Sequence, residues 1–330
     1  MDFRLTDDQQ ALRDAVRSFC EGRIGADSLR ELEEKGAFDP GLWRELAEMG
    51  VFSLRLPEDA GGVGLGMADA VLVFAELGRC LAPGPLVWSH LAAGRVDGAE
   101  SGATVVGGLD LMDGQHGPLL LEHFEQLDAL LVLRPEGVHR VERSAISAAV
   151  PVELPLDPLT PLHQATALPD GERIAGADEA AALRREGTAL AAAQLFGIAE
   201  ATALLAVDYA KKREQFGRPI GSFQAVKHLL SDMFVRQEVA RAACYAAGVT
   251  LDDPAVGDVA QAVSAAKVTA GEAGLRNSRA CIQVLGGMGY TWEVPAHYYL
   301  KRSWVLENLF GTHDEHAESL ARLSAASPGL

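Results

Sequence analysis

Positive charge is scarce in this chain. Only 29 Lys and Arg stand against 46 Asp and Glu, a formal net charge of −17 over 330 residues. Nucleic-acid binding needs a basic face to neutralise phosphate, so that partner class is excluded. Cysteine is rarer still. Cys20, Cys80, Cys244 and Cys281 stand alone with no CxxC spacing, which fits neither a zinc site nor a disulfide framework and points to a reducing compartment. Long uninterrupted apolar runs are missing too: the apolar stretches are alanine-rich and broken by charge, so none reads as a membrane span. The start, Met1-Asp2-Phe3-Arg4, carries no signal-peptide pattern. The expectation is a cytoplasmic protein with neither nucleic acid nor membrane as partner.

What is present is a globular composition, 48% hydrophobic, in a chain long enough for two or three packed units and a large core. With so acidic a field, an anionic ligand must be held by a local basic cluster. Lys211, Lys212, Arg213 and Arg218 form one within eight residues. A solvated helix end is the plain alternative, but Phe216-Gly217 and Pro219-Ile220 beside it indicate a structured turn.

The periodicity divides the chain into three. Residues 1–96 read as helical, with a capping box at Thr6 and Gln9 and amphipathic segments over Leu42 to Met49 and Ala68 to Leu81. The Gly-rich Pro57 to Gly66 lacks the buried strand and following helix of a dinucleotide fingerprint and reads as a loop. Residues 97–178 are rich in Gly and Pro, and strands are expected at Thr104–Val106, Leu119–Leu121, Ala129–Leu133 and Val138–Val141. Residues 179–330 read as a helical bundle, with helices at Gly187–Lys212, Ser222–Ala246, Ala255–Leu285 and a last one at Trp304–Leu323. Small residues such as Ala191-Ala192-Ala193 let such helices approach closely. No internal repeat stands out.

Two stretches carry more specific information. Tyr209-Ala-Lys-Lys-Arg-Glu-Gln-Phe-Gly-Arg-Pro-Ile-Gly-Ser-Phe-Gln224 is followed by Gln283-Val-Leu-Gly-Gly-Met-Gly-Tyr-Thr-Trp-Glu-Val-Pro295. In that order and at that spacing they resemble the C-terminal domain of the acyl-CoA dehydrogenases, FAD enzymes that desaturate acyl-CoA thioesters. The N-terminal Leu54-Arg-Leu-Pro-Glu-Asp-Ala-Gly-Gly-Val-Gly64 is similar to the family as well. The resemblance implies an α+β, mostly α fold: N-terminal helical domain, small truncated β-domain, C-terminal helical bundle. It implies that Arg213 meets the FAD pyrophosphate, since a guanidinium keeps its charge and offers several donors. It places Gln215, Phe216, Phe223, Gln224, Gln283, Gly286, Gly287, Thr312 and Asp314 at further cofactor-binding positions, with Asp314 replacing a more usual amide. In the family, the equivalents of Arg213, Gln283 and Gly287 reach the flavin of the neighbouring subunit. Each has a local alternative: a helix-end salt bridge for Arg213, a solvated side chain for Gln283, a helix C-cap for Gly286-Gly287.

The chain departs from the family where chemistry is done. Desaturation needs a carboxylate to take the α-proton while hydride leaves for the flavin. At the usual base positions stand Phe310, Gly187 and Ala193, none of them acidic. Glu186 and Glu307 are nearby acids, with Glu315 downstream. The Thr-Glu-Pro and Gly-Ser segments that serve the flavin ring have no counterpart between Asp97 and Val150. These losses, and the tail Lys301 to His316, resemble the non-catalytic subunit of actinobacterial α2β2 steroid-type acyl-CoA dehydrogenases. Three readings follow. The first is a half-site subunit that shares FAD with a catalytic partner, acts on an acyl-CoA in lipid or steroid catabolism and passes electrons to an electron-transfer flavoprotein. The second is a self-sufficient homomer using Glu186 or Glu307. The third is a structural partner that touches no cofactor. His313 and His316 have i, i+3 spacing but no third ligand, so no metal is expected.

Overall fold

The computed structural model describes residues 4–115 and 117–326; Met1–Phe3, where the signal-peptide reading begins, lie outside them. Five helices come first: α1 (Asp7–Arg23), α2 (Ala26–Glu34), α3 (Pro40–Glu48), α4 (Met67–Arg79) and α5 (Leu86–Ala92). Seven strands follow: β1 (Val106–Asp110), β2 (Leu119–Glu122), β3 (Ala129–Arg134), β4 (Gly137–Glu142), β5 (Val150–Pro151), β6 (Leu162–Ala165) and β7 (Glu172–Gly176). The rest is α6 (Ala177–Lys212), a small ribbon of β8 (Glu214–Gln215) and β9 (Arg218–Pro219), α7 (Gln224–Asp252), α8 (Val259–Leu285), α9 (Ala296–Asn308) and α10 (His313–Ala326). Local signals set the ends. Thr6 and Gln9 exchange side-chain and backbone bonds in the expected capping box. Asp39 caps α3 ahead of Pro40, and Asp258 caps α8.

The chain forms two compact units. One comprises Glu31–Ala70 and Pro83–Gly187. It holds a four-stranded sheet in the order β1-β3-β4-β7, parallel only between β1 and β3, and an antiparallel sheet in the order β2-β6-β5. Strand β3 is central and buried from Ala129 to Leu133, as a continuous apolar run predicts. The first expected strand starts late, at Val106, because Val105 N–H is taken by Asp128 Oδ2. Strands β5, β6 and β7 went unread: β5 is only 2 residues long, and β6 (Leu-His-Gln-Ala) and β7 (Glu-Arg-Ile-Ala-Gly) are not apolar runs. Pro57 to Gly66 is a loop as expected. A Cβ on Gly62 would lie 2.1 Å from Leu56 O, so this turn folds back onto its own backbone and requires glycine.

The second unit comprises the described residues of Met1–Arg30, Val71–Ala82 and Thr188–Leu330. Helix α6 is its axis. By length and composition α6 could cross a membrane, but 78% of its apolar window is buried within the protein, which marks a core helix apolar on all sides. Val71–Arg79 of α4 crosses it backbone to backbone. A Cβ on Gly197 would sit 1.9 Å from Ala75 O, and one on Gly78 2.2 Å from Gln194 O. Asn277 of α8 ties three helices: its amide donates to Ala199 O and Met233 O and accepts from Arg236 Nε. On α1, Arg17 forks onto Glu76 at 2.6 and 2.9 Å and reaches Glu200 at 3.2 Å.

One expected element is corrected. Trp304–Leu323 is not a single helix: α9 ends at Asn308 and α10 begins at His313. Phe310 (φ +57°) and Gly311 (φ +96°) are consecutively left-handed, a geometry no right-handed helix can pass through.

Candidate functional site

The first stretch leaves α6 at Lys212 and turns at once. Ile220 N–H donates to Arg213 O at 2.8 Å, and Gln215 pairs with Arg218 across a two-residue tip, Phe216 (φ +54°) and Gly217 (φ +77°). Two positive φ values in succession are what a tight hairpin demands. The Phe216 ring is 92% exposed and meets Phe223 edge-on at 6.0 Å. The Arg218 guanidinium lies 4.2 Å from the Phe223 ring centroid. Lys211, Lys212 and Arg213 are exposed, and among the described residues the Arg213 guanidinium has neither hydrogen bond nor ion pair. The helix-end salt bridge open to it does not form. Gln215 donates to Glu214 O, and exposed Gln224 opens α7.

The second stretch ends α8. Gln283 is exposed, and Gly286 (φ +59°) is the C-cap, its N–H directed at Gln283 O and Ile282 O. The C-cap role and an outward face therefore coexist. A Cβ on Gly289 would come within 2.9 Å of Ile282, whereas one on Gly286 or Gly287 would meet nothing within 4 Å. Gly289 is needed by the chain's own packing; the space over Gly287 is not used by this chain. Both stretches rest on one hydrophobic cluster, with Tyr209 and Ile220 from the first and Ile282, Leu285 and Met288 from the second. The structure thus brings Arg213 to Gln224 together with Gln283 to Gly287 at one end of the bundle.

Thr312 and Asp314 are elsewhere. Their turn is held at Lys267 and Ser264, and 16 residues of α8 separate Lys267 from Gln283, about 24 Å at 1.5 Å per residue. Thr312 is the N-cap of α10: Glu315 accepts from Thr312 N–H and hydroxyl, and Thr312 Oγ1 accepts from Glu315 N–H. This capping box was readable in the spacing Thr312-x-x-Glu315 and went unread. Asp314 is exposed beside His313.

Of the positions where the resemblance leads one to expect a base, Phe310 is buried at 1% exposure, Ala193 is fully buried and Gly187 lies within α6. The candidate acids are engaged. Glu186 is bidentate with Arg55 at 2.7 and 2.9 Å, and Glu307 accepts His313 N–H at 2.7 Å. Neither histidine offers a free ligand pair: His316 donates from Nε2 to Phe310 O at 2.9 Å, which leaves Nδ1 to accept from Ser264 Oγ at 3.1 Å.

Lys267, which no pattern in the sequence singled out, is fully buried and donates to Leu306 O and Leu309 O. Burial pushes its ammonium down to about 7 from 10.5, opposed by Glu307 of α9 and Glu315 of α10; His316 of α10 lies on the same turn. Between these two values the unfolded chain holds the proton that the native chain has released. The unfolded state then binds more protons, so stability rises with pH across the window. Titrating melting temperature from pH 7 to 9 should show wild type gaining on Lys267→Met; parallel curves would contradict this.

A family model for the acyl-CoA dehydrogenase N-terminal domain matches residues 6–96, and one for the C-terminal domain matches residues 180–324. The acyl-CoA dehydrogenase IpdE2 of Mycolicibacterium smegmatis is 30% identical over 340 residues, covering 97% of this chain and 99% of that protein. The chain belongs to the acyl-CoA dehydrogenase family. FadE34 of Mycobacterium tuberculosis is 31% identical over 332 residues, but the chain spans only 46% of its length. Among solved structures, the ChsE4-ChsE5 complex of Mycobacterium tuberculosis matches with a TM-score of 0.86 at 25% identity, covering all of both chains. The acyl-CoA dehydrogenase fold read from the sequence is therefore the fold of this chain.

A glutaryl-CoA dehydrogenase of Mycobacterium smegmatis with a similar fold (TM-score 0.83, 16% identity) was solved with FADH2, and the residues present here suit part of such a group. An unpaired exposed guanidinium and a glycine whose missing Cβ leaves open space fit a pyrophosphate approached along the backbone. At the other end of α8, the Thr312 hydroxyl is already committed to a cap.

Proposed function

We propose that this chain is a half-site subunit: it supplies the nucleotide-binding half of an FAD site shared with a catalytic acyl-CoA dehydrogenase subunit and removes no proton itself. The observation that carries this is Phe310. A buried, left-handed phenylalanine stands where the family's base would be, and Glu186 and Glu307 are occupied locally. Arg213, Gln283 and Gly287, by contrast, face outward with nothing of this chain against them, which supports a ligand held partly by another subunit. The similarity to one chain of the ChsE4-ChsE5 complex supports a heteromer, read here as α2β2. Residues 1–96, 97–178 and 179–330 are taken as its N-terminal helical, reduced β and C-terminal bundle domains. The substrate class is an acyl-CoA thioester, with a steroid side chain as the favoured acyl group, and the assembly works in the cytoplasm. The chemistry that a bound FAD would supply is acceptance of the β-hydride, with an electron-transfer flavoprotein as the expected electron acceptor. This chain's part is to fix the dinucleotide with Arg213 and to admit its backbone-side approach at Gly286-Gly287.

Flavin content per chain tests the proposal. The purified chain alone should carry almost none, and co-expression with its catalytic partner should give a yellow complex active on acyl-CoA. A homomeric assembly with one flavin per chain that reduces an electron acceptor with acyl-CoA would overturn it.

A further inference from the structure

The turn from α9 to α10 is gripped by side chains of α6, α8 and its own two flanking helices. The last carbonyls of a helix lack partners within it and carry partial negative charge. Here Leu306 O and Leu309 O both accept from Lys267, deep in α8. The next carbonyl, Phe310 O, accepts from His316 Nε2 of α10 and from Thr188 Oγ1 of α6. Beyond it, Glu307 and Glu315 take the amides of His313 and Thr312. Within this grip sits the left-handed Phe310, a conformation that a bulky side chain keeps only where its surroundings impose it.

A lysine is a costly choice for a site without solvent. A leucine or methionine would fill the same volume more cheaply, so what Lys267 adds is its N–H donors. We propose that Lys267 is the positioning residue of this turn: its buried amino group fixes the step at Phe310-Gly311 and so determines where Thr312 and Asp314 point. The second half bears on a cofactor only where Thr312 and Asp314 belong to the FAD site, as the sequence resemblance implies; the first half does not depend on it.

Hydrogen exchange on the full-length chain, followed by mass spectrometry, tests the clamp with no flavin present. In Lys267→Met, amides 309–315 should exchange at least tenfold faster than in wild type, while those of the 213–220 ribbon stay unchanged. Lys267→Arg, which keeps charge and donors, should recover most of the protection. Equal protection in wild type and Lys267→Met overturns the proposal, as does equal acceleration in the ribbon, which would mean general loosening. If Lys267→Met does not fold, the neutral Lys267→Gln keeps one donor and should shift the same amides in the same direction; no shift again overturns the proposal. In the complex with the catalytic subunit, Lys267→Met should lower flavin retention severalfold. A loosened turn with full flavin overturns the link to the cofactor. Unchanged flavin in Arg213→Ala instead overturns the half-site reading and leaves the clamp intact.

Discussion

Arg213→Ala should empty the shared cofactor site while leaving the chain folded. A guanidinium on a phosphate makes charge-assisted bonds of about 1.5–3 kcal/mol, which at about 1.4 kcal/mol per decade corresponds to a loss of roughly ten- to a hundredfold in flavin affinity. The effect is sharpened by the protein's own field. With a net charge of −17, the rest of the molecule repels a dinucleotide, and the basic run from Lys211 to Arg218 is the local exception. Folding should be indifferent, because the exposed Arg213 side chain touches no partner in its own chain. The measurement is flavin bound per complex after gel filtration, with the melting temperature of the free variant alongside. Retained flavin at full occupancy would make the chain a structural partner and no more.

The largest effect on stability should come from Gly197→Ala. The added Cβ would lie 1.9 Å from Ala75 O and close to Arg79 N. Backbone cannot yield as a flexible side-chain tip can, so α4 and α6 must move apart along Val71–Arg79. Overpacking a tight core commonly costs about 1–3 kcal/mol and sometimes more, and a contact made by backbone on one side belongs at the upper end. The expected result is a fall in melting temperature of several degrees, read by calorimetry. Ala201→Gly, half-buried on the same helix, serves as a control dominated by propensity and should cost about 1 kcal/mol. A Gly197→Ala chain that melts with wild type would mean the helices tolerate wider spacing than the structure describes.

Much of the architecture was readable because its signals are local. Periodicity at 3.6 residues marks α3, α4, α6 and α7; Thr6 with Gln9 marks the start of α1; four apolar runs mark β1 to β4. What was missed depends on distant residues. A two-residue edge strand such as β5 has no pattern of its own and exists only because β6 offers it partners. The break between α9 and α10 was marked in the sequence only by the unread Thr312-x-x-Glu315 box, since Phe310 itself gives no hint of a left-handed backbone; Lys267, His316 and Thr188, up to 122 positions away, hold it there. The outward cluster of Arg213, Phe216, Gln283 and Gly287 was the reverse case. Those residues do little for the chain's own packing, and it was the resemblance of their two stretches to the family, not any pattern of packing, that singled them out.

The backbone at position 310 also bears on how readily an acid could be accommodated there. A glutamate placed at 310 would enter a pocket of 1% exposure on a chain bent to φ +57°, and would have to shed its hydration while its carbonyl stayed bound to His316. An acid there would demand that the neighbouring lysine, histidine and threonine be rebuilt together.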